Sequence, residues 1–255
     1  MSIDDIFELS PVVKLVTQIL LAIISYQLGL QFLNGYPIYI AFPLTILWIV
    51  GIINAMNLLD NMDGLSAGIS GIIAFIIALS GYYANDFLIM QFALIITATC
   101  LGFLVFNFYP AKIFMGDSGS MFLGFVLAIL SIYSMSYRST NLAVSMFFPV
   151  MLMGVPIMDT TLVTINRLLN NRKVSQGGKD HTSHRLVQLG LSERKAVIFL
   201  YIICAAIGLC ALIFKLLDIK LWVTIVILLG TSMIFLGIFL SSLKVYHNSD
   251  KDHYT

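Results

Sequence analysis

Eight apolar stretches alternate with polar segments along this 255-residue chain, at about 12–30, 38–56, 67–84, 90–109, 120–137, 142–165, 196–217 and 221–243. Each is long enough to cross a hydrocarbon core as a helix, which takes roughly 17–25 residues. Only one polar segment is long, 166–195. The first stretch follows Asp4, Asp5 and Glu8 rather than a basic run, so it does not read as a signal peptide. Composition agrees with the pattern. Apolar residues make up 59% and charged residues 11%, against roughly 45–50% and 25% in a soluble domain; mean hydropathy is +0.96. The expected fold is all-α, a polytopic transmembrane helix bundle of about eight spans. It would form one domain over 1–255 with a cytoplasmic loop at 166–195. A net charge of +1 gives no general attraction to nucleic acid. Cys100, Cys204 and Cys210 all lie in apolar runs, which argues against a disulfide framework or a zinc cluster.

Lysine and arginine orient the spans. Eleven basic residues fall on one side (Lys14, Lys112, Arg167, Arg172, Lys173, Lys179, Arg185, Arg194, Lys195, Lys244 and Lys251) and three on the other (Arg138, Lys215 and Lys220). That asymmetry puts both ends of this chain in the cytoplasm. Asp4, Asp5, Asp60, Asp63, Asp117, Asp159 and Asp180 gather on or near the same side, whereas Asp86 and Asp218 lie opposite. Acids drawn from so much of the sequence to one surface are what a metal or polyphosphate site requires.

Four clusters carry candidate chemistry. Asp4 and Asp5 are adjacent carboxylates at the membrane edge, able to hold a divalent metal or take a proton, or simply acids at a helix start. Lys14 and Gln18, four apart, share a helix face; Lys14 either snorkels to the interface or holds a phosphate. Asn57, Asp60 and Asp63 recur at three-residue intervals ahead of Gly64 and Gly68, so a helical turn would set them on one face. Gly116-Asp117-Ser118-Gly119 precedes the fifth span, where a helix start favours phosphate and a carboxylate suits magnesium; an N-cap is the plainer alternative. In the long loop, Asp180-His181-Thr182-Ser183-His184-Arg185 offers two imidazoles and a guanidinium for sugar or diphosphate. Asp159 lies inside the sixth span and reads as a functional acid or as a partner that orients the loop.

The strings IDDIFEL, KLVTQ, NAMNLLDNMDGLSAG, FMGDSGS, PIMDT and DHTSHRL, in this order over residues 3–186, resemble the polyprenyl-phosphate N-acetylhexosamine-1-phosphate transferase superfamily, of glycosyltransferase family 4 type. The resemblance implies transfer of a sugar 1-phosphate from a UDP-sugar to undecaprenyl or another polyprenyl phosphate, with release of UMP. Such a reaction would be a first membrane step of cell-envelope polysaccharide synthesis, at the cytoplasmic face of a bacterial inner membrane. N-acetylglucosamine or a related N-acetylhexosamine is the expected sugar. Magnesium is the implied cofactor, with manganese as an alternative, and a homodimer is left open. By the same resemblance, Asp4, Asp5, Asp60, Asp63 and Asp117 are catalytic-site acids. Lys14, Asn57, Asp60, Asp63, His181, His184 and Arg185 bind substrate, and Asn57 and Asp117 hold the metal.

Three departures stand out. Asn61 occupies a position where the family commonly has glycine, and Ser183 one where it commonly has histidine; the latter leans toward simple N-acetylhexosamine donors rather than the muramoyl-pentapeptide branch. The family also has about three membrane helices ahead of its acid pair, while this chain begins three residues before Asp4. The chain therefore reads as N-terminally truncated, and from Met1 alone it is expected not to turn over.

In the implied chemistry a lipid phosphate, whose second pKa is near ~6, attacks the β-phosphorus as a dianion. Charge neutralisation matters more than a base, so Asp4 and Asp5 are expected to position and to bind metal, Asp4 being the base if there is one. A covalent aspartyl-phosphate route stays open. The competing readings are an inactive fragment serving as a membrane scaffold and a secondary transporter. A transporter would place its polar residues near the midplane, between repeats.

Overall fold

The computed structural model describes residues 10–136, 142–172, 178–213 and 218–243. Asp4 and Asp5 lie outside the described residues. Ten helices follow one another among those described: α1 Pro11–Gln27, α2 Ile38–Leu59, α3 Leu65–Tyr83, α4 Phe87–Asn107, α5 Gly116–Ser136, α6 Leu142–Leu152, α7 Gly154–Leu169, α8 Thr182–Gln188, α9 Glu193–Leu212 and α10 Ile219–Ser241. The all-α expectation holds.

Six helices are long and apolar enough to cross a membrane, and the bent pair α6–α7 counts as a seventh span. The 17-residue α1 is an eighth, shorter apolar helix. The expectation of a single helix over 142–165 is corrected, because the axis turns by 73° at Met153. Pro156 explains the break. Its ring lacks the N–H that would bond the Leu152 carbonyl four residues earlier and clashes with it, so α6 stops at Leu152.

The core forms around α3, the most enclosed of the spans, with 78% of its apolar window inside the bundle; α10, with 11%, lies at the periphery. α3 can be enclosed because it is small on several sides, with Ala67, Gly68, Gly71 and Ala74 buried beside Ile69, Ile73 and Ile77. It packs on α4 and on α9, while α2 packs on α5. The α2–α5 crossing is close. A Cβ on Gly124 would stand 2.8 Å from the Ile53 Cα and 3.1 Å from the Ile52 carbonyl oxygen. Side chains one turn further toward the end of α2 and the start of α5 are therefore brought within hydrogen-bonding reach.

Helix starts use the expected caps. Ser10 caps α1, Ser192 caps α9, Asp86 caps α4 and Asp218 caps α10. The two acids on the far side are thus accounted for as N-caps. Between α6, α7 and α10 lies an apolar groove of about 740 Å³, lined by residues such as Phe147, Met158, Val226 and Ile234. None of the candidate acids or histidines lines it, so it is not the reacting centre.

Gly124→Val should cost about 1–3 kcal/mol through overpacking and lower the thermal midpoint in detergent. Gly102→Ala, where an added Cβ meets nothing within 4 Å, should leave the midpoint unchanged or slightly raised. Equal effects from the two would show that α2 and α5 do not cross closely at Gly124.

Candidate active site

Three helix ends meet to form the first half of the site. Lys14, on the first turns of α1, reaches across to Asp117 at the start of α5, with Nζ 2.7 Å from Oδ2. One turn further along α1, the Gln18 Oε1 accepts from the Asn54 amide of α2 at 2.7 Å. One turn toward the end of α2, the Asn57 Nδ2 donates to the Ser120 hydroxyl of α5 at 3.1 Å. These rungs lock α1, α2 and α5 in register. The expected i, i+4 pairing of Lys14 with Gln18 on one face is what allows both to act on the same neighbours.

Asp60 follows as the C-cap of α2. Burial, and next the carboxylate of Asp117, push its carboxyl up to about 6, well above the ordinary range. Asp117 itself is 55% exposed and Lys14 21%. This end of the bundle therefore carries two acids that repel one another and one ammonium that answers them. Asn57 spends its amide nitrogen on Ser120, so its Oδ1 is the atom left for a cation.

The loop that carries these acids is braced from behind. Gly64 takes a left-handed φ of 77°, which lets the chain turn from α2 into α3. Its N–H donates to the buried Asn107 Oδ1 at 3.1 Å, and its carbonyl accepts from the Tyr201 hydroxyl of α9. Asp63 accepts from the Ala111 N–H at 2.9 Å, so one of its oxygens anchors the α4–α5 connection. Asn107 completes the brace by donating to the Ile113 carbonyl at 2.9 Å.

The second half of the site is the α7–α8 connection. Asp159, only 1% exposed, holds the start of α8 with both oxygens. Oδ2 lies 2.8 Å from the His181 Nδ1, and Oδ1 accepts from the Thr182 N–H at 2.6 Å. This settles the alternatives for Asp159 in favour of an orienting partner. A carboxylate on Nδ1 favours the tautomer protonated there and leaves Nε2 as the ring nitrogen not engaged by Asp159. Arg167 and Asp180 form a buried bidentate pair, at 2.8 Å from Nε and 2.7 Å from Nη2.

Arg185 departs from its expected role. It is 1% exposed and donates to the Asp180 carbonyl at 2.8 Å, then to the Leu240 and Leu243 carbonyls at 2.7 and 3.1 Å. Those last two belong to the C-terminal end of α10, where orphan carbonyls and the helix dipole favour a cation. A guanidinium expected on phosphate is instead spent on closing a membrane helix. His184 is half-buried, and its imidazole pKa is lowered, first by burial and then by His181 and Lys179.

The halves touch. Ser183 of α8 donates to the Asn61 Oδ1 at 2.6 Å, joining the histidine helix to the acid loop. Lys14, Asn57, Asp60 and Asp117 are thus brought together, and His181 and His184 stand on the adjoining helix. Asp63 and Arg185 are turned to structural partners. Sequence reasoning did not find Asn107 or Tyr201, and it quoted Ser120 only as part of the FMGDSGS string. Asn107 carried a faint signal, as an amide closing an otherwise apolar run. Among the described residues, no three His, Cys, Asp or Glu side chains converge as a metal cage.

These features define a multi-pass membrane protein with an acid, amide and histidine site at one end of its helix bundle. The family model for glycosyl transferase family 4 matches residues 2–135, and the chain belongs to that family. It is 41% identical over 236 residues to a probable undecaprenyl-phosphate N-acetylglucosaminyl 1-phosphate transferase of Bacillus subtilis, covering 89% of this chain and 64% of the relative. It is 39% identical over 176 residues to a decaprenyl-phosphate N-acetylglucosaminephosphotransferase of Mycolicibacterium smegmatis, covering 62% and 43%. A phospho-N-acetylmuramoyl-pentapeptide-transferase of Lactobacillus gasseri is 31% identical over 205 residues, covering 74% and 60%. The chain therefore spans 43–64% of the length of these relatives.

The raised Asp60 carboxyl has a pH signature. Between the ordinary carboxylate range near ~4 and about 6, the folded chain holds a proton that the unfolded chain has released. This group's contribution to stability therefore falls as pH rises through that window and is level above it. With a chelator present, the thermal midpoint of the wild type should fall relative to Asp60→Asn across that window. A difference that does not change with pH would show that Asp60 titrates normally.

Proposed function

We propose that this chain carries the reacting centre of a transferase that moves a sugar 1-phosphate, N-acetylglucosamine 1-phosphate or a close N-acetylhexosamine relative, from a UDP-sugar to a polyprenyl phosphate. The observation that carries the reading is the cluster of Lys14, Asn57, Asp60 and Asp117 where α1, α2 and α5 meet. The relatives' names support the lipid phosphate acceptor and the N-acetylglucosamine unit. The lysine and arginine distribution supports a cytoplasmic setting for this end of the bundle, and the reading puts it at a bacterial inner membrane, where UDP-sugars are available.

In the proposed reaction an oxygen of the lipid phosphate attacks the β-phosphorus of the UDP-sugar. A new P–O–P bond forms as the bond between the β-phosphorus and the bridging oxygen breaks, and UMP leaves with that oxygen. One anhydride replaces another, so the protein's task is to bring a dianion against a diphosphate and to orient both. Lys14, held at the edge by Asp117, supplies a fixed ammonium. The Asn57 amide and the loop around Asp60 bound the space beside it. His181, oriented through Nδ1 by Asp159, offers Nε2 to a phosphate or sugar oxygen.

The donor set also suits magnesium, and manganese by the same chemistry. Carboxylate and amide oxygens are hard ligands; Asp60 is raised first by burial and next by the Asp117 charge, and a divalent ion would relieve the second. Asp117 and Asn57 would hold it, with substrate oxygens and water as the remaining ligands. Bound there, the ion would neutralise charge on the diphosphate.

The test is UMP release from UDP-N-acetylglucosamine by solubilised protein supplied with undecaprenyl phosphate and magnesium. Release should depend on the lipid phosphate. Asp117→Asn should lower it by at least about 100-fold, the scale of losing an electrostatic contact to a transferring phosphoryl group, with membrane insertion unchanged. Near-normal turnover in Asp117→Asn would remove Asp117 from the centre, and UMP release without lipid phosphate would contradict a transferase.

A further inference from the structure

The contact between Ser183 and Asn61 is the joint between the two halves of the site, and its chemistry is specific. Asn61 is held at three points. Its Nδ2 donates to the Leu58 carbonyl at 2.9 Å, one of the orphan carbonyls at the end of α2. Its Oδ1 accepts from the Ser183 hydroxyl at 2.6 Å, and its backbone is hydrogen-bonded by the His184 ring. Ser183 is 1% exposed, so its hydroxyl has no solvent to fall back on. Asn61 directly follows Asp60 in the chain, and His184 directly follows Ser183. A single amide therefore fixes how far the acid loop stands from the histidine helix.

The rest of α8 is anchored elsewhere. Asp159 and Arg167 hold its start and Arg185 ties it to α10, while Ser183 supplies its side-chain hydrogen bond to the acid loop. Backbone conformation does not call for the side chain found at position 61, because the left-handed residue of this loop is Gly64. What Asn61 contributes is volume and an acceptor. These two positions are 122 residues apart in the chain. A larger side chain at 183 would need the space that the Asn61 amide fills.

We propose that Asn61 and Ser183 form a matched positioning pair that sets the spacing of the acid loop from the histidine helix, and through it the fit of a nucleotide-diphosphate sugar donor. The proposal rests on the transferase reading for its ligand, and both residues are positioning residues rather than catalytic ones. The hydrogen bond joins the residue after Asp60 to the residue before His184. Substitutions at the pair should therefore act on donor binding before they act on the chemical step.

The experiment is a double-substitution cycle on the full chain in detergent. It uses Ser183→Ala, Asn61→Gly and their combination, together with Ser183→His alone and combined with Asn61→Gly. Donor affinity is read by calorimetry with UDP-N-acetylglucosamine, and KM and kcat are read from UMP release. Losing one buried hydrogen bond should weaken donor binding about fivefold in either single variant, with kcat within about twofold. The Ser183→Ala/Asn61→Gly combination should be no worse than the poorer single. Ser183→His alone should be at least about tenfold poorer than Ser183→His combined with Asn61→Gly, since glycine clears the space the imidazole needs. Additive effects in the cycle, or a Ser183→His variant indifferent to residue 61, would overturn the matched pair. So would a loss confined to kcat. If the wild type binds the donor but releases no UMP, the calorimetric cycle alone decides the pair, and the transferase reading fails if a chain extended upstream of Met1 also releases none. A wild type that binds no UDP-sugar overturns both.

Discussion

Hydrocarbon cannot solvate an ion, so a helix bundle in a bilayer must either push its charges to the ends of its helices or pair them tightly. This constraint organises the molecule. Arg167 with Asp180 and His181 with Asp159 are pairs at 2.7 and 2.8 Å with every side chain less than 5% exposed. Lys14 with Asp117 is as short, at 2.7 Å, but one partner is half open to solvent. Buried pairs of this kind cost much of their Coulombic gain in desolvation, so their contribution is to register rather than to stability. Here they hold α8 at a defined place on α7, with one more cation, Arg185, closing the end of α10.

The division of labour follows from that difference in exposure. Groups whose hydrogen bonds are all directed inward, such as Arg185, Asp180 and Asp159, build the frame. Asp117, Lys14 and Asp60 remain where a polar ligand can reach them. Their charges are only partly balanced within the protein, as the raised Asp60 carboxyl records. Two neighbouring carboxylates beside an ammonium are suited to polyphosphate and divalent ions. The frame behind it keeps those three side chains in one geometry, and geometry is most of what phosphoryl transfer asks of a protein.

The spans were legible in the sequence because hydropathy and length decide them, and the convergence of Lys14, Asn57, Asp60 and Asp117 followed once alternate segments were assigned to one face. The break at Met153 was less legible, since Val155 and the residues around it are as apolar as any span and only Pro156 marks the stop. The partners of Arg185 were not legible for a physical reason. A basic residue in a cytoplasmic loop signals topology, and its partner, the end of α10, is 55 residues away in sequence. Tyr201 was invisible for the same reason, being a single polar group in an apolar helix whose partner, the Gly64 carbonyl, appears only on folding. Asp4 and Asp5 lie outside the described residues, so their expected place beside Asp117 stays with the family resemblance.

The central claim is that the end of α2 and the start of α5 meet, with Asn57 against Ser120 at 3.1 Å. The most direct measurement is disulfide formation between Asn57→Cys and Ser120→Cys in membranes, in a chain with Cys100, Cys204 and Cys210 replaced by serine or alanine. Mild oxidation should cross-link that pair rapidly and should leave Asn57→Cys with Asp218→Cys, at the opposite end of the bundle, uncross-linked. Absence of the first cross-link, or equal formation of both, would contradict the account.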